Sequence, residues 1–417
     1  MRRGAWSHPV MRAILSAEAI SALGSQMSLV ALPWFVLMRE HDTATQLGFV
    51  LAAQVLPAAL LGIPSAVVVQ RLGVRRTLLT ADLCRCPLIA AIPMLYLAER
   101  LSFSMLLGLV FAVGVFTAPY MSAQRLLIPQ TFADTDAQVV QGNALVEGVI
   151  RFAMLLGPAV AGVAIMAFGS VRVLYFDAFT FLVAFLILRR GLPVTTPVTT
   201  PVITPAAAPL ASTVDHSGVL AGVRFALRDP ILSRITVASL VFGLFFPPLI
   251  ASLPVLTKFR YDSDPRVAGL LYSAMGAGAL VGTLVVLPFA KAPALRLGAI
   301  GAVGLSVPLW LLVGNLKAWQ FALVMLVSGL FTPILNAPVI SQIALRAPEP
   351  VRAKVVTFVL TTNMLTGPIA FALTGPALDH WGLTPVYVVV AVGVTAASAL
   401  MVTLASVAPR QSSMSIP

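Results

Sequence analysis

The sequence predicts an all-α membrane protein: about twelve transmembrane helices in two parallel six-helix bundles, with both termini in the cytoplasm. Three observations carry this. Of 417 residues, 59% are apolar and only 10% are charged, whereas a soluble domain carries about 25% charged residues. Too few polar side chains remain to cover a surface that faces water. The apolar residues also fall into runs of the ~20 residues that cross a bilayer. Finally, a proline- and threonine-rich break divides these runs six and six.

The first predicted span covers 12–38. Arg2, Arg3 and Arg12 precede or open it, and the apolar run from Met11 to Met38 is too long for a signal-peptide core, so a retained helix is expected. Glu18, Ser21, Ser25 and Ser28 form one polar stripe along it, with Gln26 beside them. Spans follow at 46–69, which holds Gln54, and at 77–97, 103–128, 143–168 and 171–188. In the third, Asp82 and Arg85 are three apart near the cytoplasmic face, a spacing that suits a local ion pair. Cys84 and Cys86 lie two apart, which points them to different sides of a helix and fits neither a disulfide nor a metal site. The fourth span presents Thr117, Tyr120 and Gln124.

The fifth span begins with Glu147 and Arg151 at i,i+4, the better-oriented helix pair. Arg151 lies a turn deeper than an interfacial anchor needs, which leaves proton sensing or binding of an anionic group open beside simple neutralisation. In the sixth, Asp177 follows Arg172 by five residues, and an ion pair between them is expected.

The sequence then changes character. From Pro193 it reads PVTTPVTTPVITPAAAP, an extended polar linker with no core to bury. Domain boundaries are expected at 1–190, 191–218 and 219–417. The stretch 219–230, VLAGVRFALRDP, is amphipathic and suited to the membrane surface. Second-half spans are predicted at 231–257, 266–289, 296–316, 319–344, 354–378 and 384–407. Phe242, Phe245 and Phe246 precede Pro247-Pro248 on the first of these. Aromatics beside a proline-loosened helix suit either a pocket for flat lipophilic molecules or ordinary packing. Thr332, Asn336 and Asn363 add sparse hydrogen-bonding groups of the kind a mostly apolar site uses. Gly278-x-x-x-Gly282 suits close helix contact.

The halves echo each other in order. Ala31-Leu32-Pro33 matches Ser252-Leu253-Pro254, Gly48 matches Gly269, and Gly62 matches Gly282. Gly114-Val115-Phe116-Thr117 matches Gly329-Leu330-Phe331-Thr332, and Gly157-Pro158 matches Gly367-Pro368. Six spans repeated in the same order describe parallel halves related by an axis along the membrane normal, a pair that can rock about a central site. With the N-terminus inside, cytoplasmic segments hold 18 Lys/Arg and outer loops hold 7, which sets the orientation by the positive-inside rule.

Several classes are excluded. The net charge of +12 is scattered between apolar blocks, with no basic face to track nucleic acid. His8, His41, His216 and His380 form no metal-ligand cluster. No G-x-x-x-x-G-K-[ST] loop exists to bind ATP, and no triad-like grouping suggests an enzyme. No cofactor is expected.

The residues Ala66-Val-Val-Val-Gln70-Arg71-Leu72-Gly73-Val74-Arg75-Arg76 resemble motif A of the major facilitator superfamily, G-x-x-x-D-R-x-G-R-R. Arg71, Gly73, Arg75 and Arg76 fit it, while Ala66 and Gln70 replace its glycine and aspartate, which puts the motif's charge latch in doubt. Ala153-Met-Leu-Leu-Gly157-Pro158-Ala-Val-Ala161-Gly162 is similar to motif C, g-x-x-x-G-P-x-x-G-G, found in exporters that exchange substrate for protons. The stretches 20–37, 118–129, 157–169, 175–185 and 222–232 resemble the third drug:proton antiporter branch, which includes macrolide-efflux proteins and the enterobactin exporter.

The resemblance covers essentially the whole chain. It implies a monomeric transporter of the bacterial inner membrane that exports amphipathic small molecules against protons by alternating access. It also implies that helices 1, 4, 7 and 10 line a central cavity. Glu18, Glu147, Arg151 and Asp177 become candidates for proton coupling. Ser21, Ser25, Gln26, Thr117, Tyr120, Gln124, Phe242, Phe245, Phe246, Thr332, Asn336 and Asn363 become candidates for the substrate cavity. Proton-coupled uptake of a nutrient, or a non-transporting sensor or scramblase, are the alternatives on the same fold.

Overall fold

The computed structural model describes residues 8–39, 43–132, 136–193, 223–289, 292–346 and 349–407. Most of the predicted linker therefore lies outside the described residues. Helices α1 (Pro9–Leu37), α2 (Ala44–Leu72), α3 (Val74–Leu97), α4 (Phe103–Thr131), α5 (Asp136–Phe168) and α6 (Ser170–Gly191) make the first half. The second half comprises α7 (Pro230–Phe245), α8 (Pro247–Arg260), α9 (Pro265–Val286), α10 (Ala294–Leu309), α11 (Ala318–Arg346), α12 (Glu349–Trp381) and α13 (Leu383–Val407). Helices α7 and α8 form one span, broken at Phe246 because Pro247 and Pro248 have no N–H to give to the carbonyls of Gly243 and Leu244. Among the described residues, eleven spans are long and apolar enough to cross a bilayer. Helix α12, 33 residues long, covers the predicted span 354–378 but is not among the eleven.

Local chemistry sets the helix ends. Thr43 caps α2 in a reciprocal capping box with Gln46, and Ser102 caps α4. The carboxylates of Asp229 and Asp264 accept the first N–H groups of α7 and α9. Gly73, Gly169 and Gly382 take φ of 81°, 81° and 76° between consecutive helices, a region that a Cβ makes costly. The predicted surface stretch is helical over 223–228. There Phe225 and Ala226 pack on the second half while Arg224 and Leu227 are exposed, the two-faced arrangement its sequence suggests.

The halves meet along two seams, α2 against α12 and α5 against α9. The apolar core shows how far this contact extends. One cluster joins both halves through Met27–Leu37, Leu47, Leu51 and Ile165 on one side and Leu249, Leu271, Leu378 and Val390 on the other. Among the described residues, two further clusters stay within one half each. Met11, Leu15, Leu78, Leu127 and Leu188 belong to the first half, and Leu232, Ile235, Leu295, Val355 and Leu404 to the second. The halves close on each other at the end where the shared cluster lies.

Candidate functional site

The first half encloses a polar cluster in its interior. Glu18 of α1, Asp82 and Arg85 of α3, and Asp177 of α6 are all buried, with exposures of 8%, 0%, 4% and 2%. Arg85 donates to Asp82 in an i,i+3 ion pair. Its guanidinium lies between two aromatic rings, 4.1 Å from the Tyr120 centroid and 4.4 Å from that of Phe181, a cation–π sandwich shielded from water. The Tyr120 hydroxyl donates to Glu18 Oε2 at 3.2 Å, and the Gln124 amide lies beside the same carboxylate. Asp177 accepts from Ser28 Oγ at 2.5 Å, while Thr180 Oγ1 bonds back to the Asp177 carbonyl at 2.7 Å. Gly24 lets α1 approach here, since a Cβ would strike Thr180 and Asp177.

The cluster is under-neutralised and incompletely hydrogen-bonded. Arg85 is within electrostatic reach of all three carboxylates. Asp82 Oδ2, Arg85 Nε and Gln124 Nε2 are buried with no hydrogen-bond partner in the structure. Such groups are costly in a low-dielectric interior.

The sequence candidates divide on this geometry. Glu18, Tyr120 and Gln124 come together, and Asp177 is joined to them through the electrostatic reach of Arg85. Asp177 meets Ser28 and Thr180, whereas the expected partner Arg172 is exposed and forms no ion pair among those the structure shows. Asp82 and Arg85, expected to be a local pair near the cytoplasmic face, do pair, but 8 and 11 residues into α3 and at the centre of the cluster. An ion pair flanked by apolar turns, deep in a span, was the signal for that role. Phe181, which closes the sandwich, carried no such signal. Along the α1 stripe, Glu18, Ser21 and Ser28 are buried and Ser25 is exposed; the stripe follows the border of the bundle interior.

The other candidates lie on the seams and in the second half. Gly157 packs on Gln26 of α1, Pro158 lays its carbonyl against Gly269, and Gly162 packs on Pro265 and Arg266 of α9. Motif C is thus the surface on which α5 meets the second half. Pro158 also deprives the Met154 carbonyl of its helical donor, and Gly276 of α9 sits against that carbonyl. Glu147 and Arg151 form a 2.7 Å ion pair on the same helix.

In motif A, Gly73 makes the turn, and Gln70, Arg71 and Arg76 are exposed. Arg75 donates to the carbonyls of Arg189 and Leu192 at 2.9 and 3.1 Å. A cation is thereby fixed at the negative end of α6. Thr117 and Thr332 bond to their own helices, at Val113 and Ser328. Phe242 stacks on Phe246 with centroids 4.9 Å apart and meets Asn336 and Asn363 at a cleft in the second half. Phe245 turns away to pack on Gly393.

At the closed end, two contacts bridge the halves through helix termini. The Asp379 carboxylate of α12 accepts from the backbone N–H groups of Ala44 and Thr45, at 3.1 and 2.8 Å, and from Thr45 Oγ1 at 2.6 Å. It is an N-terminal charge for α2 supplied by the other half. Lys258 of α8 donates to the Leu37 carbonyl at the C-terminus of α1. Both charges have the sign that the helix dipole favours.

The family model described as Major Facilitator Superfamily matches residues 14–371. The chain belongs to that superfamily. It is a multi-pass membrane protein of a transporter family, not an enzyme. It is 24% identical over 386 residues to a protein of Mycolicibacterium fortuitum named multidrug efflux pump Tap, covering 89% of each chain. It is 25% identical over 389 residues to the protein of that name in Mycobacterium tuberculosis, covering 91% of this chain and 89% of that one. The fold matches the solved nucleoside transporter NupG with a TM-score of 0.72 at 12% identity, over 95% of this chain and 98% of that one. A bacterial homologue of the lysosomal transporter Spinster, solved in an inward-facing and unoccupied conformation, matches with a TM-score of 0.65 at 12% identity and 95% of both chains.

Proposed function

We propose that this protein exports amphipathic, drug-like small molecules across the bacterial cytoplasmic membrane in exchange for protons, as a monomer, by alternating access. The observation that carries the reading is the cluster of three buried carboxylates around one guanidinium. With every group ionised, Glu18, Asp82 and Asp177 against Arg85 leave two uncompensated negative charges in the bundle interior. A single charge at mid-span costs ~2.5–3.5 kcal/mol on the insertion scale. The cluster reaches neutrality when two of its carboxyls hold protons, so it has the capacity to load and release them as access to each side changes. Glu18 is the exchanging group in this reading, because the Tyr120 hydroxyl and the unpartnered Gln124 amide can hold either of its protonation states. The Asp82–Arg85 pair sets the local charge.

The end closed by the shared core faces outward in this reading, on the distribution of basic residues, so that substrate enters from the cytoplasm or inner leaflet. Similarity to pumps named for multidrug efflux, over about nine-tenths of the chain, supports the outward direction. The test is proton release from proteoliposomes holding a pH dye under an imposed gradient, with lipophilic cations, macrolides and catechol siderophores added in turn. A compound should dissipate the gradient with the wild type, and at least tenfold more slowly with Glu18→Gln. Transport with no proton movement would sink the coupling claim.

A further inference from the structure

The internal duplication places two very different interiors at equivalent positions. Gly169 and Gly382, both at positive φ, stand 213 residues apart just before α6 and α13. Helices α3 and α10 begin 220 apart, at Val74 and Ala294. Gly114 packs on the Gln54 carbonyl, and Gly329 packs on the carbonyl of Met275; these are the same contact at offsets of 215 and 221. Gly24 packs on Thr180, whereas Phe245 packs on Gly393. That too is one contact, at offsets of 221 and 213, with the large and small partners exchanged.

On these offsets the charged cluster of the first half maps onto uncharged residues of the second. Glu18 corresponds to Ser239, Asp82 to Ala302, Arg85 to Leu305 and Tyr120 to Leu335. All four counterparts line one partly open cleft. Where the first half is filled by a carboxylate and a guanidinium between two rings, the second has the uncharged Ser239, Ala302, Leu305 and Leu335.

The remaining lining gives the space its chemistry. Phe242, backed by the stacked Phe246, presents a flat aromatic surface. Asn336 and Asn363 bring amides that can donate or accept, and Ser398 has its hydroxyl occupied by the carbonyls of Ala302 and Val394. Among the described residues that line it, none is charged.

We propose that this cleft is a binding site for the uncharged, planar lipophilic portion of the transported molecule. One duplicated position has thus become the proton site in the first half and the ligand site in the second. The proposal rests on the exporter reading above, but its test does not depend on transport.

The full chain in detergent micelles is titrated with the neutral dye Nile red, and saturable binding is followed by fluorescence polarisation. Ala302→Phe and Ser239→Leu should each raise Kd at least tenfold. Asn336→Ala, a milder change that keeps the fold if a filled variant does not, should raise it about threefold. Arg172→Gln, an exposed change outside both the cluster and the cleft, should leave Kd within twofold. The proposal is overturned if wild type shows no saturable binding, if folded cleft variants bind as wild type does, or if Arg172→Gln weakens binding as much as they do. Binding that obeys the cleft variants, in a protein that releases no protons in liposomes, upholds the cleft and rejects proton coupling.

Discussion

Arg85 is the residue on which the first bundle turns. It neutralises one of three buried carboxylates and fills the gap between α3, α4 and α6 with a flat cation. Replacing it with Met keeps much of the volume but leaves Asp82 uncompensated, and breaking a buried pair in this way costs about 3–5 kcal/mol. Thermal unfolding of the purified protein should show that loss for Arg85→Met, and Asp82→Asn combined with it should restore a substantial part. Lysine should be an incomplete substitute, because a guanidinium stacks on rings and an ammonium does so less well.

Asp264 offers a contrast outside the membrane. Hydrogen bonding from the Arg266 side chain holds its carboxyl below the ordinary value. For a depressed carboxyl, the stabilising contribution is present above the unfolded-state value of about 3.9 and is lost as pH falls through the folded one. Asp264 also caps α9, a role worth about 1 kcal/mol. Asp264→Asn keeps a capping oxygen but removes the charge. It should therefore lower stability only slightly at neutral pH and flatten the acid limb of the stability–pH curve near and below pH ~4.

At the scale of helices, the structure is a pair of seams and a pair of terminal contacts. Small residues let α5 lie against α9, so a larger side chain at Gly269 or Gly162 must push backbone from backbone. Gly269→Leu should separate the seam and abolish transport, with inter-half cysteine cross-linking as the readout. At the closed end, Asp379 and Lys258 hold the halves together only while that end is shut. A charge at a helix end contributes roughly 0.3–1 kcal/mol when exposed. Asp379→Asn with Lys258→Met should therefore shift the population several-fold towards a form open at that end. Spin-label distances between the N-terminus of α2 and the C-terminus of α12 would measure the shift, and an unchanged distribution would show that the seams alone set the closed end.

At the scale of the whole molecule, the twelve spans, their order and the duplication were all legible in the sequence. Hydropathy and glycine placement are written along the chain, and lipid leaves few other solutions for such runs. Motif C could be read as close packing, though its partner helix could not. The polar cluster was half legible. Glu18 and Asp177 stand out as carboxylates in apolar spans. Their grouping with Asp82 and Arg85 depends on how α1, α3, α4 and α6 face one another, and helical periodicity does not encode this when a span is apolar on nearly every side. The expected Arg172–Asp177 pair failed for that reason: sequence proximity competed with a hydroxyl 149 positions away, and the bundle interior favoured the hydroxyl. The orientation proposed here predicts that green fluorescent protein fused after Pro417 fluoresces in bacterial cells, whereas periplasmic exposure would leave it dark.

The break between α7 and α8 has a mechanical consequence. A continuous helix resists bending because each added degree stretches hydrogen bonds along one side. At Pro247-Pro248 two such bonds are missing from the outset, so flexure there ruptures nothing. The stiffness of the span is set by its covalent backbone and by its neighbours. Pro247→Ala together with Pro248→Ala would restore the missing rungs, raise the melting temperature and slow turnover, so that a more stable protein would be a poorer machine.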